Sequence, residues 1–409
     1  MNKKKIFNDP IYGFITIPSD LIFDIIEHPY FQRLRRIKQL GLTDLVYPGA
    51  LHTRFHHALG AMHLMGLALT TLRSKGHKIT DQECEAAQIA ILLHDIGHGP
   101  FSHVLESALL DNTPHEHISY LIISDLNKEF KGALDLTEKI FRNKYPRKFL
   151  HQLVSSQLDI DRLDYLQRDS FFTGVSEGTI GADRLIKMLE IRNDELVIEE
   201  KGIYSIENFL TARRLMYWQV YLHKATVSSE KMMIQIIKRA KHLTQNGVNL
   251  HASPALTVFL KNKVSFREFE KNKKYLTAFV ELDDYDVWGA VKTWASHKDK
   301  VLAFLCKSLL HRKLFKIQIS TKEFSKDSVN NLKKEISKKT SLKSADASYF
   351  MINGTISNAA YVSEGQKINI LMKNGQIIDV AKASDLPNIK AISKIVKKHY
   401  LCWPKSLYL

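Results

Sequence analysis

Leu93-His-Asp-Ile-Gly-His-Gly-Pro-Phe-Ser-His103 is the stretch that decides the fold of this chain. It follows Glu83-Cys-Glu-Ala-Ala-Gln-Ile-Ala-Ile-Leu-Leu93, which is apolar on most sides and therefore predicts a buried helix. Neighbouring residues on a helix point about 100° apart, so His94 and Asp95 can face one ion only where the helix ends or bends. Gly97 and the residues after it supply that end. The stretch predicts a helical domain in which a buried helix end presents a histidine and an aspartate.

Two further stretches contain residues of the metal-binding type. Arg54-Phe-His-His-Ala-Leu-Gly60 contains His57, and Asp159-Ile-Asp-Arg-Leu-Asp-Tyr-Leu-Gln-Arg-Asp169 contains Asp161. Two imidazoles and two carboxylates can hold one divalent ion and leave coordination positions open for a phosphate and a water. Any one of these residues alone is explained equally well as a hydrogen-bonded core residue. The hypothesis depends on the full set, which is His57, His94, Asp95 and Asp161.

The composition limits the classes of protein and of metal. The 409 residues suit two or more domains, and 59 basic against 43 acidic residues give a net charge of +16, which favours an anionic partner. Cys84, Cys306 and Cys402 are too far apart for a disulfide framework or a thiolate site, which is typical of a reducing cytoplasm. Nitrogen and oxygen donors without thiolate favour Mn, Fe, Zn, Ni or Mg. No apolar run approaches the ~18 residues of a membrane span, so we expect a cytoplasmic protein without a membrane partner.

The pattern of predicted elements changes near residue 310. Before it the chain is mostly helical, with a hairpin predicted over 195–205 and one long helix over 206–243. Beyond it we predict strands over 314–319 and 348–352, helices over 325–339 and 388–399, and a hairpin that turns at Asn374-Gly375. The sequence therefore predicts a mainly α protein, with a helical domain over residues 1–310 and a small C-terminal α+β module over residues 311–409.

Several residues in or near Leu93–His103 are candidates for acid–base chemistry. His98, His103 and His115 lie close to the His-Asp pair in sequence. Glu106 or Glu116 can orient and charge one of these imidazoles, which is a common arrangement for proton transfer. Solvated helix carboxylates explain the two glutamates equally well at this point.

Taken together, these stretches resemble the deoxynucleoside triphosphate triphosphohydrolases of the HD superfamily, the group of the SAM- and HD-domain dNTPase and the bacterial dGTPase-like enzymes. The match runs in register from about residue 7 to about residue 300. It also includes Phe31-Gln-Arg-Leu-Arg-Arg-Ile-Lys-Gln-Leu-Gly41, Val46-Tyr-Pro-Gly-Ala50 and Tyr221-Leu-His-Lys224. The combined motifs are highly specific, whereas a His-Asp pair alone is not.

The resemblance implies a role for each matching position. The implied metal ligands are His57, His94, Asp95 and Asp161. The implied catalytic residues are His98 and His115, with Glu106 where the vertebrate enzyme has an aspartate. The implied triphosphate contacts are Arg54, His103, Arg162, Arg213 and Lys224. The implied sugar contacts are Gln39, Leu40, Tyr165, Asp169 and Tyr221.

The spacing of the basic and aromatic residues after position 212 can be read in two ways. Arg213, Tyr217, Tyr221 and Lys224 recur at intervals of four, four and three, which predicts one face of one helix. A solvated basic stripe with aromatic core contacts gives the same spacing. The spacing alone does not decide between the two.

The implied reaction is hydrolysis of a dNTP to the deoxynucleoside and tripolyphosphate. His115 or His98 would protonate the departing 5′-oxygen. The resemblance also implies one divalent metal ion, a further Mg²⁺ carried by the triphosphate, assembly into a dimer or tetramer, and an activating nucleotide.

Two alternatives remain open. An HD phosphatase or phosphodiesterase acting on another nucleotide or on a nucleic acid would share the ligands but would not need so many converging cations. A nucleic-acid-binding regulatory protein with a vestigial site is suggested by Lys333-Lys-Glu-Ile-Ser-Lys-Lys-Thr-Ser-Leu-Lys343. A solvated helix face explains these lysines as well, because no aromatic residues are interleaved with them.

Overall fold

Helices make up most of this computed structural model, which describes residues 5–111, 113–358, 361, 366–385 and 395–406 and leaves out the side chains of His103 and Ser107. The predicted mainly α class is confirmed. The helices of the first 200 residues are α1 (Asp20–Glu27), α2 (Pro29–Gln32), α3 (Arg54–Ser74), α4 (Asp81–Leu93), α5 (His103–Leu109), α6 (His115–Glu129), α7 (Asp135–Phe141), α8 (Lys148–Val154), α9 (Ile160–Thr173) and α10 (Ala182–Met188).

The remaining elements continue the helical body and then add strands. The later helices are α11 (Ile203–Met216), α12 (Lys224–Gln245), α13 (Pro254–Lys261), α14 (Phe266–Lys271), α15 (Lys273–Glu281), α16 (Asp284–Trp294), α17 (Lys300–Leu310), α18 (Lys326–Thr340), α19 (Ser344–Ala347) and α20 (Val380–Ala383). The strands are β1 (Ile6–Asp9), β2 (Gly13–Thr16), β3 (Leu189–Arg192), β4 (Glu195–Glu199), β5 (Lys316–Ser320), β6 (Ile352–Asn358), β7 (Asn369–Leu371), β8 (Ile377–Asp379) and β9 (Val396–Trp403). Within the described residues, no helix combines the length and the apolarity needed to cross a bilayer.

Helices α4 and α9, which both pack against α3, begin on side chains that satisfy free backbone groups. At the start of α4, the Thr80 hydroxyl accepts from the Glu83 N–H at 3.1 Å, and the Glu83 carboxylate accepts from the Thr80 N–H at 2.8 Å. Helix α9 begins after Asp159, whose carboxylate accepts from the Arg162 N–H at 2.8 Å. It ends on Gly174, which has a φ of 73°. These caps fix the ends of two helices that carry candidate ligands.

An apolar core holds these helices together. Leu64 and Met65 of α3 and Ile91 and Leu92 of α4 are fully buried. Burial of one such side chain contributes about 1.5–3 kcal/mol. Replacing Leu92 by alanine is therefore expected to cost about 2–5 kcal/mol of unfolding free energy, because the surrounding helices relax only in part.

A two-stranded hairpin, β1–β2, packs beside α3. Asp9 pairs with Gly13, whose φ of 74° suits the tight turn between the strands. The Phe7 ring packs edge-on against Phe55 of α3, with the ring centroids 6.0 Å apart. The hairpin therefore lies next to the helix turn that carries His57.

The long helix predicted over 206–243 is wrong, because the chain is interrupted in its middle. Helix α11 is followed by a π-helical turn over Tyr217–Tyr221, and α12 begins only at Lys224. The His223 imidazole caps α12 by accepting from the Ala225 N–H at 3.2 Å. A π-helical turn is wound differently from an α-helix. The basic and aromatic residues of this segment consequently do not belong to one continuous α-helix.

One sheet contains strands from both sides of residue 310. The hairpin predicted over 195–205 lies earlier, as β3–β4, because the chain turns at Asn193-Asp194, where both residues have positive φ. Strand β4 pairs in parallel with β7, with Ile198 opposite Ile370. Strand β7 pairs with β8 in the hairpin expected around Asn374-Gly375. The sheet order is β3-β4-β7-β8, and the division into two domains at residue 310 stays a prediction.

The last sheet has the order β5-β9-β6. The helix predicted over 388–399 is wrong for its last four residues, which belong to β9. Residues 388–394 lie outside the described part of the chain. Strand β9 has a partner on both sides, with Ile317 and Ile352 each opposite Cys402. Pairing on both edges outweighs local helix propensity. The strand predicted over 348–352 begins only at Ile352.

Candidate active site

Three side chains from three helices converge to form what we call the ligand group, His57, His94 and Asp161. His57 and Asp161 lie in the first turns of α3 and α9, and His94 directly follows α4. His57 Nε2 lies 3.1 Å from Asp161 Oδ1 and 3.4 Å from His94 Nε2, which is 3.3 Å from the same carboxylate oxygen. These donor atoms lie within 4.8 Å of one another, so they can hold a metal ion.

The outer nitrogen of each histidine in the ligand group is anchored. His57 Nδ1 lies 2.7 Å from Asp164 Oδ2, and His94 Nδ1 lies 2.5 Å from the carbonyl oxygen of Ile91. An oxygen acceptor at Nδ1 places the proton there and leaves Nε2 as the metal donor. The residues present therefore fit a divalent ion in both donor type and orientation.

Asp95 lies beside the ligand group. Its Oδ1 is 3.3 Å from His94 Nε2 and 3.4 Å from His98 Nε2, and its Oδ2 is 3.6 Å from His57 Nε2. The Arg54 guanidinium donates to Oδ2. Burial opposes the charge of Asp95, but His94 and Arg54 hold the pKa of the carboxyl well below its usual range. Asp95 is thus a carboxylate within reach of both histidine ligands.

The electrostatics of the ligand group favour a cation. Burial works against a charged His57, yet the hydrogen bonds with Asp161 and Asp164 raise the pKa of its imidazole to about 10. Burial likewise opposes the charge of Asp161, whose pKa is lowered by the two histidines. Negative charge that stabilises a proton this strongly also stabilises a divalent ion in the same place.

A second set of side chains, which we call the acid–base group, consists of His98, Glu106 and His115. The two imidazole rings stack with centroids 3.7 Å apart and planes inclined by 18°. His115 Nδ1 lies 2.9 Å from Glu106 Oε1, whereas His98 Nδ1 lies 3.5 Å from that oxygen. Burial, followed by the charge of Arg54, lowers the pKa of His98 to about 3. Geometry therefore makes His115 the better partner for Glu106.

An unusual turn leads into the helix that carries Glu106. Phe101 and Ser102 have φ values of 54° and 52°, a left-handed conformation that costs free energy for residues other than glycine. The Ser102 hydroxyl accepts from Arg54 Nε at 3.0 Å, and the Phe101 N–H donates to Asp284 Oδ1 at 2.8 Å. Contacts from distant parts of the chain hold the turn in place.

The loop after α4 also packs closely against α6. A Cβ atom on Gly97 would lie 2.3 Å from the backbone of both His115 and Ser119. The Gly97 N–H donates to the Ser119 hydroxyl at 2.9 Å, and that hydroxyl donates to the carbonyl of His94 at 2.8 Å. Glycine at position 97 therefore allows the loop that carries His98 to pack against the start of α6, which carries His115.

Members of both groups, Asp161 from the first and His98 and His115 from the second, line one cleft of about 450 Å³. Most of the predicted site residues line it, namely Gln39, Leu40, Arg54, Asp95, His98, His115, Asp161, Arg162, Tyr165, Asp169 and Tyr221. Arg213 and Lys224 are not among the described residues that line the cleft. The side chain of His103, predicted at the phosphate pocket, lies outside the described part of the chain.

Arg213 and Lys224 stay predicted triphosphate contacts, and their surroundings differ. Arg213 is buried at the end of α11, with Nη1 3.4 Å from Gln157 Oε1. Lys224 is exposed at the first position of α12. A π-helical turn lies between them, so they do not belong to one continuous α-helix. Arg162 does line the cleft and is paired with the buried carboxylate of Asp159.

At the opposite side of the cleft, Asp169 is held on both oxygens. Its Oδ1 lies 2.7 Å from His52 Nε2, and its Oδ2 accepts from the Tyr221 hydroxyl at 2.7 Å. Burial and then the charge of Asp169 raise the pKa of Tyr221 well above its usual range, so the phenol keeps its proton. The carboxylate retains further lone pairs for a hydroxyl donor.

Several residues of this site were not predicted from the sequence. His52 supports Asp169 from 117 positions away, and the sequence between them carries no signal for that contact. Ser102 lies within Leu93–His103, so it could have been recognised from the sequence as a neighbour of the His-Asp pair. Glu230 also lines the cleft and was not predicted, whereas Glu116 and Tyr217, which line it too, were singled out in the sequence.

Comparisons with known proteins agree with this geometry. The HD domain family matches residues 54–169, and the HD associated region matches residues 180–265. The Bacillus subtilis protein YwfO is 33% identical over 422 residues, which cover all of this chain and 94% of that protein. A relative from Dictyostelium discoideum, named a homolog of the deoxynucleoside triphosphate triphosphohydrolase SAMHD1, is 33% identical over 256 residues, or 58% of this chain and 49% of that protein.

A solved structure extends the similarity to almost the whole chain. The crystal structure of a phosphohydrolase from Bacteroides thetaiotaomicron is 53% identical and superimposes with a TM-score of 0.95, covering 98% of this chain and 100% of that one. The ligand group lies within the matched HD domain. This chain therefore belongs to the HD-domain phosphohydrolases.

Proposed function

We propose that this phosphohydrolase cleaves deoxynucleoside triphosphates into the deoxynucleoside and tripolyphosphate. The observation that carries the proposal is the set of side chains that line one cleft. Asp161 of the ligand group, Asp95 and two arginines line it together with Asp169 and Tyr221, a hydrogen-bonded carboxylate–tyrosine pair that suits recognition of a sugar hydroxyl. The relatives named SAMHD1, which are known as deoxynucleoside triphosphate triphosphohydrolases, support the same substrate class.

The phosphate end of the substrate would lie beside the ligand group. Arg54 and Arg162 line the cleft there and supply fixed positive charge. A triphosphate carries roughly four negative charges, so guanidinium groups that donate to its oxygens offset that charge in the transition state. His57, His94, Asp95 and Asp161 would hold a divalent ion, which would supply Lewis acidity beside the phosphates.

The acid–base group would handle the proton of the leaving group. The oxygen of the attacking water would form a bond to the α-phosphorus while the bond from phosphorus to the 5′-oxygen breaks. His115 would donate a proton to that 5′-oxygen, and the Glu106 carboxylate at 2.9 Å stabilises the imidazolium that donates it.

The sugar end would be recognised by the pair held at the far side of the cleft. Asp169 would accept from the 3′-hydroxyl, since its own supports, His52 and Tyr221, hold it in one orientation. Leu40 and Tyr221 line the cleft nearby, and we expect them to leave no room for a 2′-hydroxyl. Deoxynucleotides are therefore expected to be preferred over ribonucleotides.

A substrate panel tests the proposal. The purified chain is incubated with Mn²⁺ and with each dNTP, the matching NTPs, nucleoside monophosphates and cyclic nucleotides, and the products are separated by ion chromatography. We expect equal amounts of deoxynucleoside and tripolyphosphate from at least one dNTP. Release of orthophosphate from monophosphates, or opening of cyclic nucleotides, without tripolyphosphate would instead support an HD phosphatase or phosphodiesterase.

A further inference from the structure

Four side chains in an unbroken series connect the N-terminal hairpin to a member of the ligand group. Asp9 Oδ2 accepts from Arg168 Nη1 at 2.7 Å. Arg168 donates through Nε and Nη2 to the two oxygens of Asp164, at 2.9 Å each. Asp164 Oδ2 in turn lies 2.7 Å from His57 Nδ1. We call this series, Asp9, Arg168, Asp164 and His57, the relay.

All members of the relay are withdrawn from solvent. His57, Asp164 and Arg168 are fully buried, and Asp9 is 8% exposed. Buried charge-assisted hydrogen bonds have well-defined geometry, and removal of one partner leaves the other with an uncompensated charge. A change at one end of the relay is therefore expected to alter the other end.

The turn of the hairpin fixes the orientation of Asp9. Asp9 Oδ1 accepts from the N–H groups of Ile11 and Tyr12, at 2.9 and 3.0 Å, while Oδ2 serves Arg168. The guanidinium carbon of Arg168 lies 5.5 Å from the centroid of the Tyr12 ring. The hairpin thus contacts Arg168 through both a carboxylate and an aromatic face, so the turn conformation and the position of Arg168 depend on each other.

Helix α3 leaves space for the relay beside its own metal ligand. A Cβ atom on Gly60 would lie 2.1 Å from both Arg168 Nη2 and Asp164 Oδ1. Gly60 lies three residues after His57, on the same side of the helix. The glycine is therefore needed for the two charged side chains to pass close to α3 and reach His57.

We propose that the N-terminal hairpin positions the metal ligand His57 through this relay, so that Asp9 sets metal affinity from outside the ligand group. Asp9, Arg168 and Asp164 act as positioning residues and need not touch the substrate. The inference rests on the assignment of the ligand group as a metal site, and it holds whichever nucleotide is cleaved.

The chain offers a matched control with the same chemistry. Arg239 Nη2 donates to Asp299 Oδ2 and Arg239 Nη1 donates to Asp346 Oδ1, both at 2.6 Å. Asp299 also accepts from the N–H of Leu302 at 2.8 Å, much as Asp9 accepts from its own turn. None of these four described residues lines the cleft. Asp299→Asn therefore removes an aspartate–arginine pair of the same kind without touching the relay.

The test is a titration of the metal-free full-length protein with Mn²⁺ in the absence of substrate. Loss of a partner behind a metal ligand typically weakens binding about 10- to 100-fold, so we expect that loss for Asp164→Asn and about 3- to 10-fold for the more distant Asp9→Asn. Asp299→Asn is expected to bind Mn²⁺ as the unmodified protein does. Equal affinity in Asp9→Asn and the unmodified protein, or equal losses in Asp9→Asn and Asp299→Asn, would overturn the proposal.

A second measurement needs no substitution and decides the matter if Asp9→Asn fails to fold. Coupling between two sites is reciprocal, so Mn²⁺ binding must stabilise the hairpin if the hairpin strengthens Mn²⁺ binding. We expect slower amide hydrogen exchange over residues 6–16 when Mn²⁺ is added, and no change over residues 299–310. Unchanged exchange in the hairpin would refute the relay. An absence of tripolyphosphate in the substrate panel would leave both Mn²⁺ results unaffected.

Discussion

The ligand group and the acid–base group lie side by side in the cleft but are built on different kinds of backbone. The ligand group sits at the ends of three helices of 21, 13 and 14 residues, α3, α4 and α9. In the acid–base group, His115 begins α6, but Glu106 lies on α5, which has seven residues and follows a turn where Phe101 and Ser102 are both left-handed. Regular helices in an apolar core carry the first group, whereas the turn that leads to Glu106 is held in an unfavourable conformation by contacts with Arg54 and Asp284.

This difference separates metal binding from turnover. Each left-handed residue other than glycine costs roughly 1–2 kcal/mol, which the contacts of Asp284 and Arg54 with the turn must offset. Changes in the ligand group are therefore expected to remove the metal and activity together. Changes in the acid–base group are expected to reduce turnover while the metal stays bound.

The largest effect is expected for Asp161→Ala. This substitution removes a carboxylate that lies 3.1 Å from His57 Nε2 and 3.3 Å from His94 Nε2. We expect loss of bound metal and a fall in phosphohydrolase activity to the background of the assay, because metal catalysis contributes several kcal/mol. Metal analysis together with the tripolyphosphate assay checks both expectations. Retention of stoichiometric metal in Asp161→Ala would contradict the assignment of the ligand group.

A smaller effect, confined to turnover, is expected for His115→Ala. Acid–base catalysis contributes about 10²- to 10⁴-fold, so kcat should fall by that order while the metal content stays unchanged. His117→Ala is a suitable control, because His117 lies on the same helix but is exposed and packs against Phe266. If His115→Ala and His117→Ala have the same kcat, the acid–base group has no part in the reaction.

The pH dependence of stability tests how the turn before α5 is held. Burial raises the pKa of Asp284 to about 6 from an ordinary value of 3.8, although the N–H groups of Lys38 and Phe101 oppose the rise. Below pH 3.8 this residue is protonated in both the folded and unfolded chain. Between pH 3.8 and about 6 only the unfolded chain has lost the proton, so the contribution of Asp284 to the unfolding free energy falls as pH rises, by about 3 kcal/mol.

Denaturant unfolding of the unmodified protein and of Asp284→Asn at pH 4 and pH 7 measures this contribution. The asparagine does not titrate, so the stability difference between the two proteins should change by about 2 kcal/mol between pH 4 and pH 7, in favour of the variant at the higher pH. A parallel dependence in both proteins would show that Asp284 titrates normally.

The smallest effect is expected at the sugar end, for Tyr221→Phe. The change removes one hydrogen bond to Asp169, which is worth about 1 kcal/mol. KM for the dNTP is expected to rise about fivefold with little change in metal content, since the tyrosine is not a member of the ligand group. Steady-state kinetics on Tyr221→Phe checks this, and a change in kcat alone would argue against a role in binding.

Local sequence was sufficient wherever the deciding interactions are themselves local. The apolar run before His94, followed by Gly97, correctly predicted that a buried helix ends at the His-Asp pair. The residues that cap α4 and the glycines that follow it lie within a few residues of the ends of that helix. The mainly α class follows for the same reason, because helix signals depend on neighbours three and four positions apart.

Prediction failed where partners come from distant parts of the chain. The π-helical turn at Tyr217–Tyr221 has no signal in the residue spacing, and it divides the predicted long helix into α11 and α12. Strand β9 was mistaken for a helix because its pairing partners begin at Lys316 and Ile352. The contact of His52 with Asp169 was missed for the same reason.

The sequence by itself determined the family, the helical class and the identity of the four candidate ligands, because each depends on short motifs and on the types of donor atom that they contain. Only the tertiary structure decided which cations reach the cleft, that Asp164 supports His57, and that the N-terminal hairpin connects to the ligand group through Arg168. The physical reason is that the directions and partners of buried charged side chains are set by packing between segments more than 100 residues apart.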